Sequence, residues 1–300
     1  MSKPKLDRKT LSQIQVRPGS KVRLRRHDSE WVRHADLRHL AADKKRAKQM
    51  LLQSVRRLSQ AQEVLFAAGS RGVLIILQGM DAAGKDGTIK HVMSGINPQG
   101  CQVHSFKQPS VEELRHNFLW RYSAALPARG QISIFNRSYY EDVLVVKVHP
   151  EWLKRQHIPA SERKPGIWAE RYEDLNAFEE HLSRNGIVVL KFFLHISKHE
   201  QKRRLLERLN DKDKLWKFSY SDLEERAYWK QYVAAYEKAI SATSTPWAPW
   251  YMIPADHKWA AHALIGDIIT ASILGLNLRY PEPSDDVRKH LSDFRRKLEK

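Results

Sequence analysis

The segment 79–88 constrains the fold of this chain more than any other part of the sequence. It reads Gly-Met-Asp-Ala-Ala-Gly-Lys-Asp-Gly-Thr, so Gly79, Gly84 and Lys85 meet the G-x-x-x-x-G-K spacing of a phosphate-binding loop (P-loop). The apolar run 73–77 comes before it without alternation, which is typical of a strand buried on both faces of a parallel sheet. A helical pattern follows the loop. This order of strand, loop and helix predicts a site that binds phosphate groups.

The loop has the residue types that such a site requires. Glycine and alanine allow backbone N–H groups to close around phosphate oxygens, and the start of the following helix adds the positive end of its dipole. Lys85 would bring a full positive charge to a terminal phosphate. The alternative is a glycine-rich turn without a ligand, which leaves Lys85 without a role. The predicted phosphate-binding residues of the loop are Gly79, Ala82, Ala83, Gly84, Lys85, Asp86, Gly87 and Thr88.

Two carboxylates distinguish the loop from its usual form. Asp86 occupies the position where a Ser or Thr normally ligates magnesium, and Asp81 lies inside the loop. A carboxylate beside phosphates is repelled unless a divalent cation lies between them or unless it orients the attacking group. We therefore predict that Asp81 is a catalytic and metal-binding residue. The alternative is that Asp81 only caps a helix or forms a turn.

Alternating strands and helices predict an α/β fold, a P-loop kinase-like three-layer sandwich with a mostly parallel sheet and a helical lid. The strand-like runs are 73–77, 102–106, 131–135, 187–194 and 250–253. The helical stretches are 40–66, 89–94, 111–125, 168–184, 198–209, 223–242 and 259–274. We predict a basic N-terminal arm over residues 1–38 and a single P-loop kinase-like domain over residues 39–300.

Arginines outside the loop are candidates for stabilising transferred charge. Arg137 follows a buried strand, at the sheet edge where ligands bind in doubly wound folds, and could neutralise a phosphoryl group in flight. A structural salt bridge is the alternative. Arg204 and Arg208 lie one helical turn apart and predict a lid over residues 198–222 that closes on the substrate and excludes water. A plain solvated helix is the alternative there.

The charge balance favours a polyanionic partner. The chain has 52 Lys and Arg against 34 Asp and Glu, a formal charge of +18, and residues 1–60 hold 17 of the basic residues against 5 acidic ones. A nucleic-acid-binding protein with a vestigial loop therefore stays open as an alternative.

Other features of the sequence exclude further classes of protein. Cys101 is the only cysteine, which excludes internal disulfides and thiolate zinc clusters. No apolar run reaches the roughly 18 residues of a membrane span, and the N-terminus has no apolar signal region, so we expect a cytoplasmic protein. His195 and His199 have metal-ligand spacing but straddle the end of a strand, so a histidine metal site is not favoured.

Several segments in order along residues 65–275 resemble the type-2 polyphosphate kinases. They are 79–88, 105–110, 118–121, 134–144, 193–197, 216–218, 248–251 and 254–259, with Gln201, Arg204 and Arg208. The resemblance implies an enzyme that transfers phosphoryl groups from inorganic polyphosphate to AMP and ADP, with guanine nucleotides left open. It further implies Mg²⁺ or Mn²⁺ as cofactor and a homodimer or homotetramer. Arg137, Arg204 and Arg208 would stabilise the charge in transfer.

One stretch departs from the pattern of much of the family. The corresponding residues of those proteins resemble Asp-Arg-Ser-Trp-Tyr-Asn-Arg. This chain has Asn-Arg-Ser-Tyr-Tyr-Glu-Asp at residues 136–142, so a metal-binding carboxylate cannot be transferred to Asn136. Asn136 with Glu141 is similar to the class that accepts both AMP and ADP. The nucleotide-binding residues that the resemblance implies are Lys107, Arg121, Asn136 and Glu141. A conventional ATP-dependent nucleotide kinase is the alternative, and Asp81 and Asp86 count against it.

Overall fold

The computed structural model describes residues 8–31 and 38–299. Its five strands form one sheet with the order β2-β3-β1-β4-β5, and every neighbouring pair is parallel. The strands are β1 (Gly72–Gln78), β2 (Cys101–Ser105), β3 (Ile132–Asn136), β4 (Ile187–His195) and β5 (Trp250–Pro254). All five predicted strands are confirmed within one or two residues. Every residue of the central strand β1 is buried, as its unbroken apolar run predicts.

Helices connect the parallel strands. The α-helices of the described ranges are α1 (Arg8–Ile14), α2 (Arg38–Ala42), α3 (Lys44–Ala68), α4 (Lys85–Val92), α5 (Val111–Arg115), α6 (Trp120–Ser123), α7 (Glu141–Val148), α8 (Ile167–Arg184), α9 (Lys198–Asn210), α10 (Tyr220–Ala227), α11 (Trp229–Thr243), α12 (Lys258–Leu274) and α13 (Asp285–Leu298). Helices α3, α4 and α12 pack together, and α7, α8 and α11 form a second group, which gives the two outer layers of an α/β sandwich.

Two predicted helices are interrupted. The stretch 111–125 forms α5 and α6, because Asn117 turns the chain between them and accepts a hydrogen bond from the Leu119 N–H at 3.0 Å. The stretch 223–242 is divided between α10 and α11 at Tyr228. The sequence analysis did not predict α1, α7 or α13. No helix within residues 8–31 and 38–299 is long and apolar enough to cross a membrane.

The described part of the predicted N-terminal arm packs into the main hydrophobic core. Its buried side chains are Ile14, Val16, Val22, Leu24 and Trp31. The backbone N–H of Val16 also donates to the Trp250 carbonyl oxygen at 2.8 Å. Residues 8–31 are therefore not a mobile segment, although the predicted division of the chain at residue 38 stays a prediction. The rest of the predicted arm, residues 1–7 and 32–37, lies outside the described residues.

Candidate active site

The predicted P-loop connects the carboxyl end of β1 to the start of α4. A Cβ atom at Gly79 would lie 2.9 Å from the Leu194 carbonyl oxygen, so only glycine fits beside β4. Further along the loop, Ala82 and Gly84 have φ angles of 60° and 107°, which lie in the left-handed region that glycine adopts at little cost. The loop thus curls tightly between β1 and the N-terminal end of α4, and the Ala83 N–H donates to the Met80 carbonyl oxygen at 3.1 Å within it. This is the geometry of an anion site.

Lys85 reaches back across the loop. Its Nζ donates to the carbonyl oxygens of Gly79 at 2.7 Å and Met80 at 3.3 Å. Burial, followed by the positive charge of Arg137, lowers the pKa of Lys85, and nearby carboxylates led by Asp81 oppose that shift. A phosphate at the loop would remove part of the unfavourable positive field around this ammonium group. The two hydrogen bonds to Gly79 and Met80 place the Lys85 side chain at the mouth of the loop.

Arg137 joins the loop to α7. Its guanidinium lies 2.9 Å from Asp81 Oδ1 and 3.4 Å from Glu141 Oε2. The carboxylate of Glu141 is the largest cause that raises the pKa of Arg137. Arg137 has a φ of 65°, and its N–H donates to the Leu77 carbonyl oxygen at 3.2 Å, which fixes the residue as the chain leaves β3. Two residues predicted to be catalytic and one predicted to bind nucleotide thus form one contiguous set of charges.

Asp86 and Asn136 contact each other beside the charged set formed by Asp81, Arg137 and Glu141. Asn136 Nδ2 donates to Asp86 Oδ1 at 2.8 Å, and Lys217 Nζ lies 3.9 Å from the other carboxylate oxygen of Asp86. Thr88 is buried, and its hydroxyl donates to the Gly84 carbonyl oxygen at 3.0 Å within the first turn of α4. The backbone N–H of Thr88 donates to the same oxygen at 2.9 Å, so both donors of Thr88 are used within the helix, and its predicted phosphate contact stays a prediction.

Arg204 lies beneath the P-loop rather than on an open lid. The side chain is buried, and its Nη1 donates to the carbonyl oxygens of Ala82 at 3.0 Å and Ala83 at 2.8 Å. Its Nη2 donates to the carbonyl oxygens of Ala255 and Asp256, which follow β5. The structure therefore places Arg204 where it fixes the loop backbone. Its predicted contact with phosphate stays a prediction.

The segment predicted as a lid, residues 198–222, is tied to the loop by side chains. Arg208 Nη1 lies 3.2 Å from Asp222 Oδ2, so it links α9 to α10. Arg226 donates to Gln201 Oε1 at 2.7 Å, and Gln201 Nε2 donates to the Asp81 carbonyl oxygen at 3.0 Å. Gln201 belongs to the segments that carry the family resemblance, but no role was predicted for it. These hydrogen bonds connect the position of α10 to the position of the catalytic loop.

A cleft of about 670 Å³ opens in front of the loop, between the segment 106–114 and helices α7, α10 and α11. It is lined by the predicted residues Gly79, Asp81, Lys107, Arg121, Arg137 and Glu141. Arg121 stiffens one wall, because its Nη1 donates to the Lys107 carbonyl oxygen at 2.9 Å and its guanidinium lies over the Phe106 ring. The volume is that of a pocket for a small molecule.

Other lining residues had no predicted role. Trp152 and Trp229 lie in the wall formed by α11 and the chain after α7. Tyr232 Oη donates to Glu225 Oε2 at 2.6 Å, and His149 Nε2 lies 3.0 Å from the same carboxylate oxygen. These residues come from separate segments of the chain, α10, α11 and the chain after α7, and carry no common sequence pattern. Their convergence is visible only once the helices are packed.

The comparison with protein families decides the assignment. A family described as "Polyphosphate kinase 2 (PPK2)" matches residues 41–277. The chain belongs to this family. A crystal structure of polyphosphate kinase 2 from Arthrobacter aurescens TC1 superposes with a TM-score of 0.76 at 41% identity, covering 83% of this chain and 86% of that one.

Two curated relatives match nearly the full length of this family member. An ADP-polyphosphate phosphotransferase of Rhodopseudomonas palustris is 46% identical and covers 95% of this chain and 97% of its own length. An AMP/ADP-polyphosphate phosphotransferase of Meiothermus ruber is 42% identical, with 91% and 96% covered. The predicted P-loop kinase-like fold and the predicted enzyme class, a polyphosphate–nucleotide phosphotransferase, are confirmed. The roles of individual site residues stay predictions.

Asp81 is the side chain of the candidate site that suits magnesium. Within residues 8–31 and 38–299, no group of three or more His, Cys, Asp and Glu side chains could hold a metal ion. His195 is hydrogen-bonded to the His27 carbonyl oxygen at 3.2 Å and lies outside the cleft lining. Asp81 does line the cleft, beside the P-loop. Mg²⁺ commonly binds through one or two carboxylates together with substrate phosphates, and Asp81 suits that mode.

Proposed function

We propose that this polyphosphate kinase 2 transfers phosphoryl groups reversibly between inorganic polyphosphate and adenine nucleotides, and accepts both AMP and ADP. The observation that carries the proposal is the position of Arg137, which contacts Asp81 of the P-loop and Glu141 of α7 within one cleft. The Meiothermus ruber relative, an AMP/ADP-polyphosphate phosphotransferase, and the Rhodopseudomonas palustris relative, an ADP-polyphosphate phosphotransferase, support these acceptors.

In this proposal the chain's own residues bind and orient the two phosphate groups. Loop N–H groups and Lys85 hold phosphates at the start of α4, because that is where backbone donors and positive charge converge. Arg137 contacts the group in transfer and offsets its charge. Asp81 orients the attacking phosphate oxygen. The new P–O bond forms to that oxygen as the bond to the leaving phosphate breaks, and the leaving group keeps the electron pair.

Asp81 would hold the proposed Mg²⁺ or Mn²⁺ together with phosphate oxygens of the substrates. When bound, the ion would neutralise phosphate charge during transfer. The pairing of Asp81 with Arg137 at 2.9 Å balances the charge of the carboxylate within the protein.

Lys107, Arg121, Asn136 and Glu141 are proposed to contact the acceptor nucleotide. Lys107 and Arg121 bring positive charge to the lining of the cleft, and Glu141 brings negative charge. A monophosphate and a diphosphate place their terminal phosphates at different depths, so the charges around Arg137 should decide which of the two can react. We expect Glu141→Ala to change the AMP-to-ADP preference more than the rate with the better acceptor.

The decisive assay supplies AMP, ADP or GDP with polyphosphate and Mg²⁺ in the absence of ATP, and separates the nucleotides by chromatography. We expect ADP and then ATP to form from AMP. Formation of ADP only when ATP is added would contradict the proposal and favour an ATP-dependent nucleotide kinase. A gel shift with nucleic acid at physiological salt, using polyphosphate as competitor, tests the nucleic-acid-binding alternative. Tight binding that polyphosphate does not displace would favour that alternative.

We also propose a homodimer or homotetramer located in the cytoplasm. The resemblance to the family supports the assembly, and the single cysteine, Cys101, is compatible with a reducing compartment. Sedimentation of the purified protein tests the first point, and fractionation of the native cell tests the second.

A further inference from the structure

A buried ion pair lies next to the segment that carries Arg137 and Glu141. Glu179 of α8 and Lys191 of β4 are both fully buried, and Lys191 Nζ donates to Glu179 Oε2 at 2.5 Å. Neither residue lines the cleft. Burial raises the pKa of Glu179 and lowers the pKa of Lys191, so it opposes both charges. The proposed mechanism gives this pair no role.

Stability alone does not explain a buried ion pair. Replacing such a pair with apolar side chains of similar volume is often neutral or stabilising, because it is costly to take two charges out of water. A buried polar network in which every group is hydrogen-bonded can instead hold its members in one arrangement. The hydrogen bonds of Glu179 and Lys191 identify the groups that this network holds.

Two neighbouring tyrosines bind to the pair. The hydroxyl groups of Tyr139 and Tyr140 donate to Glu179 Oε1 at 3.0 Å and 2.8 Å. Lys191 Nζ donates to Tyr140 Oη at 3.0 Å and to the Thr243 carbonyl oxygen at 2.6 Å, at the end of α11. Together with its bond to Glu179, the ammonium group therefore uses all three of its protons.

The chain just before these tyrosines has an unfavourable backbone conformation. Arg137 has a φ of 65°, and a residue with a side chain keeps such a conformation only where the surrounding structure fixes it. Ser138 is buried, and its Oγ accepts from Gln78 Nε2 at 3.1 Å and from the Tyr140 N–H at 3.2 Å. Glu141 follows as the first residue of α7. The anchored residues thus lie between two residues that line the cleft.

We propose that Glu179 is a positioning residue for the reaction and that Lys191 balances its charge inside the core. Through the two tyrosines, Glu179 holds Arg137 and Glu141 at fixed places in the cleft. The inference rests on the proposed function, which assigns Arg137 to the group in transfer and Glu141 to the choice of acceptor. Small displacements of reacting groups cost much of the rate. Loss of the anchor should therefore lower kcat in a protein that is still folded.

The first test removes only the two hydroxyl groups, in Tyr139→Phe with Tyr140→Phe. Tyr251→Phe is the control, because Tyr251 is a buried tyrosine of β5 outside the cleft lining. With AMP and polyphosphate we expect kcat of the double variant to fall at least about tenfold. The control should match the wild type. Wild-type kcat in the double variant would overturn the inference.

Hydrogen–deuterium exchange measures the anchoring without any turnover. Peptides that cover residues 136–148 should exchange faster in the tyrosine double variant than in the wild type, whereas peptides from β1 should be unchanged. Equal exchange over residues 136–148 would overturn the anchoring. The wild-type assay with polyphosphate judges the proposed function by itself, so a failure of that function is distinguishable from a failure of this inference.

The second test separates the anchor from the charges. Glu179→Gln with Lys191→Met removes both charges but keeps a side-chain oxygen that can accept from the tyrosine hydroxyl groups. Glu179→Leu with Lys191→Met removes the charges and that acceptor. Neither double variant leaves an unpaired buried charge, which would destabilise the fold strongly. Circular dichroism and urea denaturation measure folding and stability in both.

We expect the Glu179→Gln double variant to keep kcat close to that of the wild type. The Glu179→Leu double variant should lose at least about tenfold in kcat, and its AMP-to-ADP preference should shift in the same direction as that of Glu141→Ala. A general loss of structure would lower turnover with both acceptors alike. Equal kcat and equal preference in the two folded double variants would overturn the inference, and if the Glu179→Leu double variant does not fold, the tyrosine double variant decides.

Discussion

Arg137 Nη2 lies 2.9 Å from Asp81 Oδ1, and this contact spans the gap between the P-loop and the end of β3. The contact resolves a difficulty posed by the sequence, which places a carboxylate among groups that bind phosphate. Without substrate, Arg137 balances the charge of Asp81. In the proposed mechanism the same two side chains would flank the reacting groups when phosphate is bound.

The role of Asp81 can be separated from binding. We predict that Asp81→Asn lowers kcat by at least about 100-fold, because a group that acts in the transition state is lost. Affinity for polyphosphate should persist or increase, because a negative charge is removed beside the phosphates. Calorimetric binding and turnover across a magnesium titration measure the two effects. Asp213→Asn, an exposed carboxylate after α9, is the control. Normal turnover of Asp81→Asn at every magnesium concentration would show that Asp81 is only a turn residue.

Lys85→Ala should abolish phosphoryl transfer in a folded protein. The ammonium group donates to the carbonyl oxygens of Gly79 and Met80, so its loss should lower the free energy of unfolding by no more than about 1.5 kcal/mol. Lys90→Ala removes an exposed lysine from the same helix and should leave turnover unchanged. Urea denaturation and the AMP assay measure both quantities. Wild-type turnover of Lys85→Ala would refute the predicted role.

The parts of the fold that the sequence predicted well are those determined by short segments. The run 73–77 is apolar at every position and becomes the fully buried β1, and the glycine spacing of 79–84 specifies the loop that follows. Both signals lie within a dozen residues. Arg137 was predicted from its position after a buried strand, and Glu141 from the resemblance to the family. Both line the cleft, and their roles stay predictions.

The features that the sequence did not predict depend on contacts between distant segments. The basic composition of residues 8–31 obscured the buried side chains of Val16 and Trp31, whose burial requires the rest of the hydrophobic core to be assembled. Arg204 was predicted as a lid residue because it lies one helical turn from Arg208. Only the packing of α9 beneath the loop shows that its guanidinium donates to the Ala82 and Ala83 carbonyl oxygens.

The position of Arg204 gives a prediction that distinguishes support of the loop from direct contact with phosphate. Arg204→Lys keeps the charge but cannot donate to the separated carbonyl oxygens of Ala83 and Ala255 at once. We expect the free energy of unfolding to fall by about 2–4 kcal/mol and kcat/KM to fall at least about tenfold. Arg208→Lys on the same helix should change stability by less than about 1 kcal/mol, because its pair with Asp222 is partly exposed. Unchanged stability of Arg204→Lys would contradict the supporting role.

His262 should make stability depend on pH. Burial, followed by the charges of His91, Arg204 and Lys258, lowers the pKa of His262 to about 4. Between the unfolded value of about 6.5 and pH 4, the unfolded chain binds a proton that the folded chain does not, so stability falls as the pH falls through this range. The full loss amounts to about 3 kcal/mol. Urea unfolding from pH 7.5 to 4.5 should show a smaller loss for His262→Gln than for the wild type. His199→Gln, an exposed histidine, should keep the wild-type slope.

The N-terminal segment has buried apolar side chains and exposed positive charges, and the two can be tested separately. Deleting residues 1–31 would remove Ile14, Val22 and Trp31 from the core, so we expect the free energy of unfolding to fall by more than about 5 kcal/mol. This differs from the behaviour of a mobile arm, whose deletion would leave the fold intact. A truncated protein with an unchanged melting temperature would contradict the packing of this segment.

The charge of the segment can be tested without disturbing the core. Arg17, Lys21 and Arg25 are exposed, and replacing all three with alanine should leave the fold and kcat nearly unchanged. The KM for long polyphosphate should rise at low ionic strength and return toward the wild-type value at high salt, because attraction of a polyanion by surface cations is screened. Short polyphosphate, which cannot reach both the segment and the active site, should show a smaller change. Measuring kcat and KM with both chain lengths at two salt concentrations tests this directly, and an equal rise in KM for both lengths would argue against long-range attraction.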